Sequence, residues 1–217
     1  MAQITVSELS AFYENKEIFK NLSFTVNKGD YLCVIGENGS GKTTLMRCIL
    51  GFDVKHTGSI TFNEIARKEI GWLPQRTELK KDFPASVYEV VLSGFSGTKL
   101  FISKEDKKRA EKNLKLLEIE NLKNRPFREL SGGQQQKVLL CRALCSASSV
   151  LLLDEPVTGL DSTSQNEMYS LIKKLNKNGM TVIMISHDVE RAVIDANKIL
   201  RISDDGYYFG NSKEDEK

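Results

Sequence analysis

The sequence predicts an α/β fold in which a mainly parallel sheet carries a mostly helical inserted lobe. Three features lead there. Tyr31-Leu32-Cys33-Val34-Ile35, Val150-Leu151-Leu152-Leu153 and Thr181–Ile185 are almost unbroken apolar runs, as expected of strands buried on both faces. Between the last two lie Met168, Leu171, Ile172 and Leu175 at i, i+3, i+4 and i+7. Strands separated by helices imply a parallel sheet with right-handed crossovers. Residues 76–130 break that rhythm: they hold Pro84, Pro126 and the very polar stretch Lys104 to Lys115.

Taken in chain order, residues 3–12 alternate loosely, with Ile4, Val6 and Leu9 apolar, and Phe19 to Val26 is a second β-rich run. Asn27-Lys28-Gly29-Asp30 is a turn, because Asn and Gly tolerate positive φ. After the strand at 31–35, Leu45, Cys48 and Ile49 have helical spacing, stopped by Gly51; Thr57 to Phe62 is another short strand. Ser103 followed by Asp106 starts a helix whose narrow face is Ala110, Asn113, Leu114 and Leu117. Its many lysines are a solvated face. Ser162 with Gln165 is expected to form a capping box, and Gly179 to end that helix. The expected organisation is one domain: 1–75 and 131–210 as core, 76–130 as helical lobe, and a short charged tail at 211–217 that frays.

Composition narrows the function. With 217 residues, 40% hydrophobic and 28% charged, the chain has a core that needs no disulfide or metal staple. The charge of +2, from 31 basic and 29 acidic residues, gives no electrostatic reason to expect nucleic acid as partner. Cys33, Cys48, Cys141 and Cys145 read as buried free thiols of a reducing compartment, since no histidine neighbours the i, i+4 pair. The start, MAQITVSELS, lacks a basic segment followed by an apolar one. No apolar stretch approaches the ~20 residues of a membrane helix. The chain is therefore expected to be soluble, with any pore belonging to another chain.

Gly36-Glu37-Asn38-Gly39-Ser40-Gly41-Lys42-Thr43 fits a phosphate loop, with a buried strand before it and a helical pattern after it. Its glycines let backbone N–H groups approach phosphate oxygens, and the following helix N-terminus adds partial positive charge. Lys42 supplies a point charge to the β- and γ-phosphates, and the Thr43 hydroxyl is placed to ligand Mg²⁺. Val150–Leu153 runs into Asp154-Glu155-Pro156. Asp154 is the candidate to hold Mg²⁺ through water, and Glu155 to orient or deprotonate the attacking water. Adjacent strand residues point to opposite faces, so the two acids can do different jobs.

Leu130-Ser131-Gly132-Gly133-Gln134 precedes the acidic strand by a helix length. It resembles the signature motif of ABC ATPases, and the likeness spans about residues 4–203. The resemblance implies a P-loop NTPase core with an N-terminal antiparallel β subdomain, two ATPs sandwiched in a head-to-tail homodimer, and hydrolysis coupled to transport. Ser131, Gly132, Gly133, Gln134 and Asp161 then complete the partner's site in trans, with Gly159-Leu160-Asp161 similar to the loop that communicates across the dimer. Tyr13 matches the aromatic residue that stacks on adenine, and Thr44 extends the phosphate contacts. Gln75 matches the glutamine that touches Mg²⁺, and His187 the histidine that contacts the γ-phosphate; His56 matches nothing. Lys137 stands where many relatives have arginine. The implied partners are a transmembrane permease and, through it, an extracytoplasmic substrate-binding protein. The implied location is cytoplasmic, peripheral on the inner face of the membrane. Phe83–Gly94 and the ending Tyr208-Phe209-Gly210 look like the zinc and manganese importers. The rivals are an ABC ATPase for another substrate, a non-transport ABC ATPase and a nucleotide-sensing regulator. No fused second domain, coiled-coil insertion or basic patch favours the non-transport form, and Glu155 and His187 argue against the regulator.

Overall fold

Two sheets face one another across a single helix. The computed structural model describes residues 1–14, 16–75, 84–95, 101–203 and 205–212. The strands are β1 (Ala2–Tyr13), β2 (Lys16–Asn27), β3 (Tyr31–Gly36), β4 (Lys55–Phe62), β5 (Ile70–Leu73), β6 (Val150–Asp154), β7 (Thr181–Ile185), β8 (Lys198–Ser203) and β9 (Gly206–Asn211). The helices are α1 (Lys42–Leu50), α2 (Val87–Leu92), α3 (Lys104–Leu116), α4 (Gly132–Ser146), α5 (Ser162–Lys177) and α6 (Val189–Asp195). A three-stranded antiparallel sheet runs β2-β1-β4, and a six-stranded sheet runs β5-β6-β7-β3-β8-β9. All neighbours in the larger sheet are parallel except β9, which turns back on β8. The predicted fold class is the observed one.

Side-chain alternation builds two cores from one set of strands. Leu32, Val34, Val150, Leu152, Ile183 and Ile185 point towards α1, where Leu45, Met46, Cys48 and Ile49 meet Ile4, Val6, Leu9 and Phe24 of the smaller sheet. Tyr31, Cys33, Ile35, Leu151, Leu153, Val182 and Met184 point the other way, onto α4 and α5. Both faces are dry, which is why these runs carry almost no polar residue. The apolar face of α3 (Ala110, Leu114) and Val87, Val90 and Val91 of α2 belong to the same cluster as α4 and the sheet. All four cysteines are buried and free. Among the described residues, no helix is long and apolar enough to cross a membrane.

Local expectations are met at α3, where Ser103 and Asp106 form a capping box, and at Gly179, left-handed at φ 94° after α5. Two are corrected. Ser162 does not cap α5: Asp161 does, its carboxylate accepting from Ser164 N at 3.0 Å, while Gln165 Nε2 donates to Leu160 O at 2.9 Å. A carboxylate one residue upstream is the stronger acceptor for exposed helix N–H groups. The tail does not fray from residue 211. Asn211 closes β9 and accepts from Lys198 Nζ at 2.7 Å; Ser212 N donates to Asn197 O at 3.2 Å and its side chain is buried. Residues 213–217 lie outside the described residues, as do 76–83 and 96–100 of the lobe and Phe83 of the stretch Phe83–Gly94.

Candidate functional site

The parallel strands β3, β6 and β7 end along one edge of the sheet, where α/β sheets place their ligands. β3 leaves this edge through Gly36, at φ 150°, and a Cβ there would collide with Ile202 O and lie 2.8 Å from Ser40 Oγ. The chain then loops through Glu37–Ser40 into α1. Gly41 is the N-cap of α1 at φ 94°, with no side-chain cap; a Cβ on it would lie 2.7 Å from Ile18 Cγ2 and 2.8 Å from Phe19 Cδ1. Only glycine fits these two positions. The first N–H groups of α1 therefore face the loop without a side-chain partner.

Lys42 lies within this loop, 7% exposed, its ammonium donating to Gly36 O at 2.8 Å and Glu37 O at 2.7 Å. Burial pulls its pKa down, while Glu155 and then Asp154 pull it back up. Asp154 ends β6 at 2% exposure. Burial pushes its carboxyl up from the ordinary aspartate value, a Thr43 hydrogen bond lowers it, Glu155 raises it further and Lys42 lowers it. Asp154 Oδ1 and Ser40 Oγ are buried without a hydrogen-bond partner. A buried anionic oxygen without a donor is costly, and a hydrated divalent cation beside Thr43 is a group that these residues fit.

Glu155 follows the last strand residue and turns away from it. Its backbone is left-handed at φ 49°, while its N–H still donates to Ile185 O at 3.1 Å. The two acids thus diverge through a backbone reversal as well as through strand alternation. Glu155 Oε2 accepts from Gln75 Nε2 at 2.7 Å and from Thr158 Oγ1 at 3.0 Å. His187 Nδ1 stands 3.6 Å from the same oxygen, an ion pair only when the imidazole is protonated. Ser186, whose N–H reaches Val34 O at 3.3 Å, brings His187 beside the end of β3. Residues 75, 155 and 187, spread over half the chain, therefore meet around one carboxylate near Lys42. Sequence reasoning missed Thr158; its one signal is a hydroxyl residue three after Glu155 in a turn, closed by Thr158 N to Glu155 O at 3.2 Å.

Ser131, Gly132, Gly133 and Gln134 open α4 and are occupied with one another. Ser131 and Gln134 form a reciprocal capping box, at 3.3 Å and 3.1 Å. Gly133 packs on α5: a Cβ on it would lie 2.5 Å from Ser164 Oγ. Ser164 in turn bonds to Asp161 from backbone and side chain, which holds that exposed carboxyl below its ordinary range. Tyr13 ends β1 at 71% exposure. Lys137 pairs with Glu167 at 2.7 Å. His56 is exposed, with Nδ1 2.7 Å from Val54 O.

Comparison with known proteins gives a consistent result. The family described as ABC transporter matches residues 19–158. A manganese transport system ATP-binding protein of Halalkalibacterium halodurans is 36% identical over 214 residues, covering 95% of this chain and 85% of that protein. A zinc uptake system ATP-binding protein of Listeria innocua is 36% identical over 222 residues, covering 97% and 86%. Among solved structures, a chain of an inward-facing ABC transporter superposes with a TM-score of 0.89 at 34% identity, covering 99% of this chain and 85% of that one. An ATP-binding cassette in its ADP conformation gives 0.86 at 26% identity, covering 99% and 92%.

Proposed function

The chain belongs to the ABC transporter family as an ATP-binding, ATP-hydrolysing member, and from that premise we propose that it powers import of a divalent metal ion, manganese or zinc, through a separate transmembrane permease. The relatives named for manganese and zinc transport support the cargo, as does the sequence from Phe83 to Gly94. The permease, an extracytoplasmic binding protein behind it, and a place on the inner face of the cell membrane belong to the same reading. Cellular manganese and zinc under metal limitation test it: deleting the gene lowers accumulation of one of them, and unchanged content of both removes the cargo and leaves the ATPase.

In this reading Gly36, Asn38, Gly39, Ser40, Gly41, Lys42, Thr43 and Thr44 hold the ATP phosphates, and Tyr13 stacks on adenine. Thr43, Gln75 and, through water, Asp154 would hold the Mg²⁺ that accompanies ATP, which would supply charge neutralisation at the β- and γ-phosphates. Glu155 takes the proton of the attacking water and His187 contacts the γ-phosphate. Residues 76–130 act as a helical lobe, and Ser131–Gln134 with Asp161 complete the site of a second copy, so that closure of a homodimer assembles the catalytic set.

The observation that carries the catalytic reading is the convergence of Gln75 and His187 on Glu155 Oε2. Glutamine at 155 keeps the shape and cannot accept a proton. The Glu155→Gln protein should bind ATP, hydrolyse it ~10²–10⁴-fold more slowly and accumulate as a closed dimer with MgATP, seen by light scattering. Parent-rate hydrolysis would remove Glu155 from the chemistry.

A further inference from the structure

We propose that Thr158 is a positioning residue for ATP hydrolysis, its hydroxyl holding one oxygen of Glu155 so that the other is presented to the attacking water. The inference rests on Glu155 being the base. A carboxylate offers two oxygens with about two acceptor sites each. At Glu155 the known donors converge on one of them: Thr158 Oγ1 at 3.0 Å and Gln75 Nε2 at 2.7 Å both reach Oε2, and His187 Nδ1 stands 3.6 Å from it. Proton acceptance from water then falls to Oε1, and the rotation of the carboxylate decides where Oε1 points.

The two firm donors differ in what holds them. Gln75 lies two residues beyond β5, at the entrance to the segment that carries α2 and α3. Its Nε2 serves Glu155 while its carbonyl oxygen is the proposed Mg²⁺ contact, so the position of its side chain answers to two groups at once. Thr158 belongs to the turn that Glu155 itself begins, and the bond from Thr158 N to Glu155 O at 3.2 Å ties hydroxyl and carboxylate to one short piece of backbone. Threonine is stiff at χ1, so the hydroxyl direction follows the backbone. Glu155 is meanwhile held left-handed at φ 49°, a conformation with few alternatives for a residue with a Cβ. Thr158 is thus the donor tied to the same short piece of backbone as the carboxylate it holds.

The same turn runs on to Asp161, which caps α5, and Ser164 of that first helical turn packs against Gly133. A displacement of the Ser131–Gln134 region has only the segment from Ser164 back to Thr158 to cross before it reaches the base. Thr158 is therefore where a contact made by Asp161 or Gly133 changes the direction of Glu155.

Thr158 is exposed, so its replacement is compatible with folding. The experiment compares Thr158→Val, isosteric without the donor, with Thr158→Ser, which keeps it, beside Glu155→Gln, in ATP turnover by the purified full-length chain. Thr158→Val should lower kcat roughly 10–100-fold, the scale of a misdirected reacting group, with KM for ATP within about twofold of the parent. Thr158→Ser should restore most of the rate, and Thr158→Val added to Glu155→Gln should slow it no further. A parent-like kcat in Thr158→Val overturns the inference, and so does a serine variant as slow as the valine one. If Glu155→Gln is slow while Thr158→Val is normal, only this inference fails. If Glu155→Gln itself runs at the parent rate, the base assignment fails with it.

Discussion

Helices α1 and α4 both begin in glycine-rich segments, yet their N-termini are finished in opposite ways. α1 starts at left-handed Gly41 with no side-chain cap, and Lys42 is folded into the loop beside it. α4 starts at Ser131, whose hydroxyl takes the N–H of Gln134 while the Gln134 side chain takes the N–H of Ser131. A helix leaves four N–H groups without partners. At α1 they remain available to an anion; at α4 two donors are already satisfied within the chain. One terminus is built to be completed by a ligand, and the other is stable alone and also lacks a cation in its first turn. That difference supports the proposed composite site, in which the phosphate loop binds ATP by itself and the Ser131 segment meets nucleotide only when a second copy presents it.

The largest expected effect is at the open terminus. Lys42→Ala removes the ammonium held against the loop carbonyls of Gly36 and Glu37. It should weaken ATP binding and cut turnover by more than ~10²-fold, the scale for removing a group that stabilises transferring phosphoryl charge. Near-normal hydrolysis by the purified variant would break the comparison at once. Ser131→Arg tests the capped terminus. Turnover should fall by a similar ~10²-fold while ATP affinity stays within a few-fold of the parent, because the change lies outside the chain's own phosphate loop. Equal loss of binding in both variants, read by equilibrium titration, would make the two termini parts of one site.

Much of this contrast is legible in the residues, because each terminus is a contiguous motif. The strands β3, β6 and β7 are legible for a related reason: both faces are dry, so the apolar runs are unbroken. The edges of the sheet are not. β5 is four residues long and includes Gly71, where a Cβ would strike Ala143 O and Ala147 Cβ; glycine there reflects a close helix and hides the strand. β8 carries Lys198, Arg201 and Ser203, and β9 shows only Phe209 and Gly210 half-buried, so neither gives an unbroken run. Around Glu155 the sequence shows the candidates one by one, but a shared carboxylate oxygen is a tertiary fact. Thr158 lies in a turn of ordinary composition and carries no motif at all. The Asp161 cap is hidden by the equally good pattern of Ser162 and Gln165, a choice that local chemistry decides by a single residue.

A smaller effect separates function from stability at Asp154. Its folded-state pKa lies above the ordinary 3.8, so the folded protein holds this proton more tightly and ionisation opposes folding. That opposition is absent well below pH 3.8 and complete once pH exceeds the folded value. Asp154→Asn should therefore raise the nucleotide-free Tm at neutral pH, with the gain shrinking on acidification. The same variant should lose Mg²⁺-dependent turnover. Calorimetry at pH 7 and pH 4.5 checks the sign; a lower Tm at neutral pH would show that the buried carboxylate is already compensated.

The smallest effect compares the two serines directly. Ser40 Oγ, in the phosphate loop, is buried without a hydrogen-bond partner. Its removal deletes an unsatisfied polar group and leaves a methyl-sized side chain. Ser40→Ala should change the nucleotide-free Tm by less than about 2 °C, in either direction, while weakening ATP several-fold if the hydroxyl contacts phosphate. Ser131→Ala should do the reverse. It deletes an N-cap whose loss typically costs ~1 kcal/mol, so Tm should fall by about 2–4 °C, with ATP affinity of the isolated chain unchanged. The crossing of the two results carries the weight: each serine moves the property that the other leaves alone. If Ser131→Ala left Tm unchanged and Ser40→Ala lowered it, the cap at α4 would be idle and the phosphate loop would owe its shape to its own hydroxyl. The open terminus would then be the self-sufficient one, and the contrast between α1 and α4 would no longer support the proposal that a second copy completes the site.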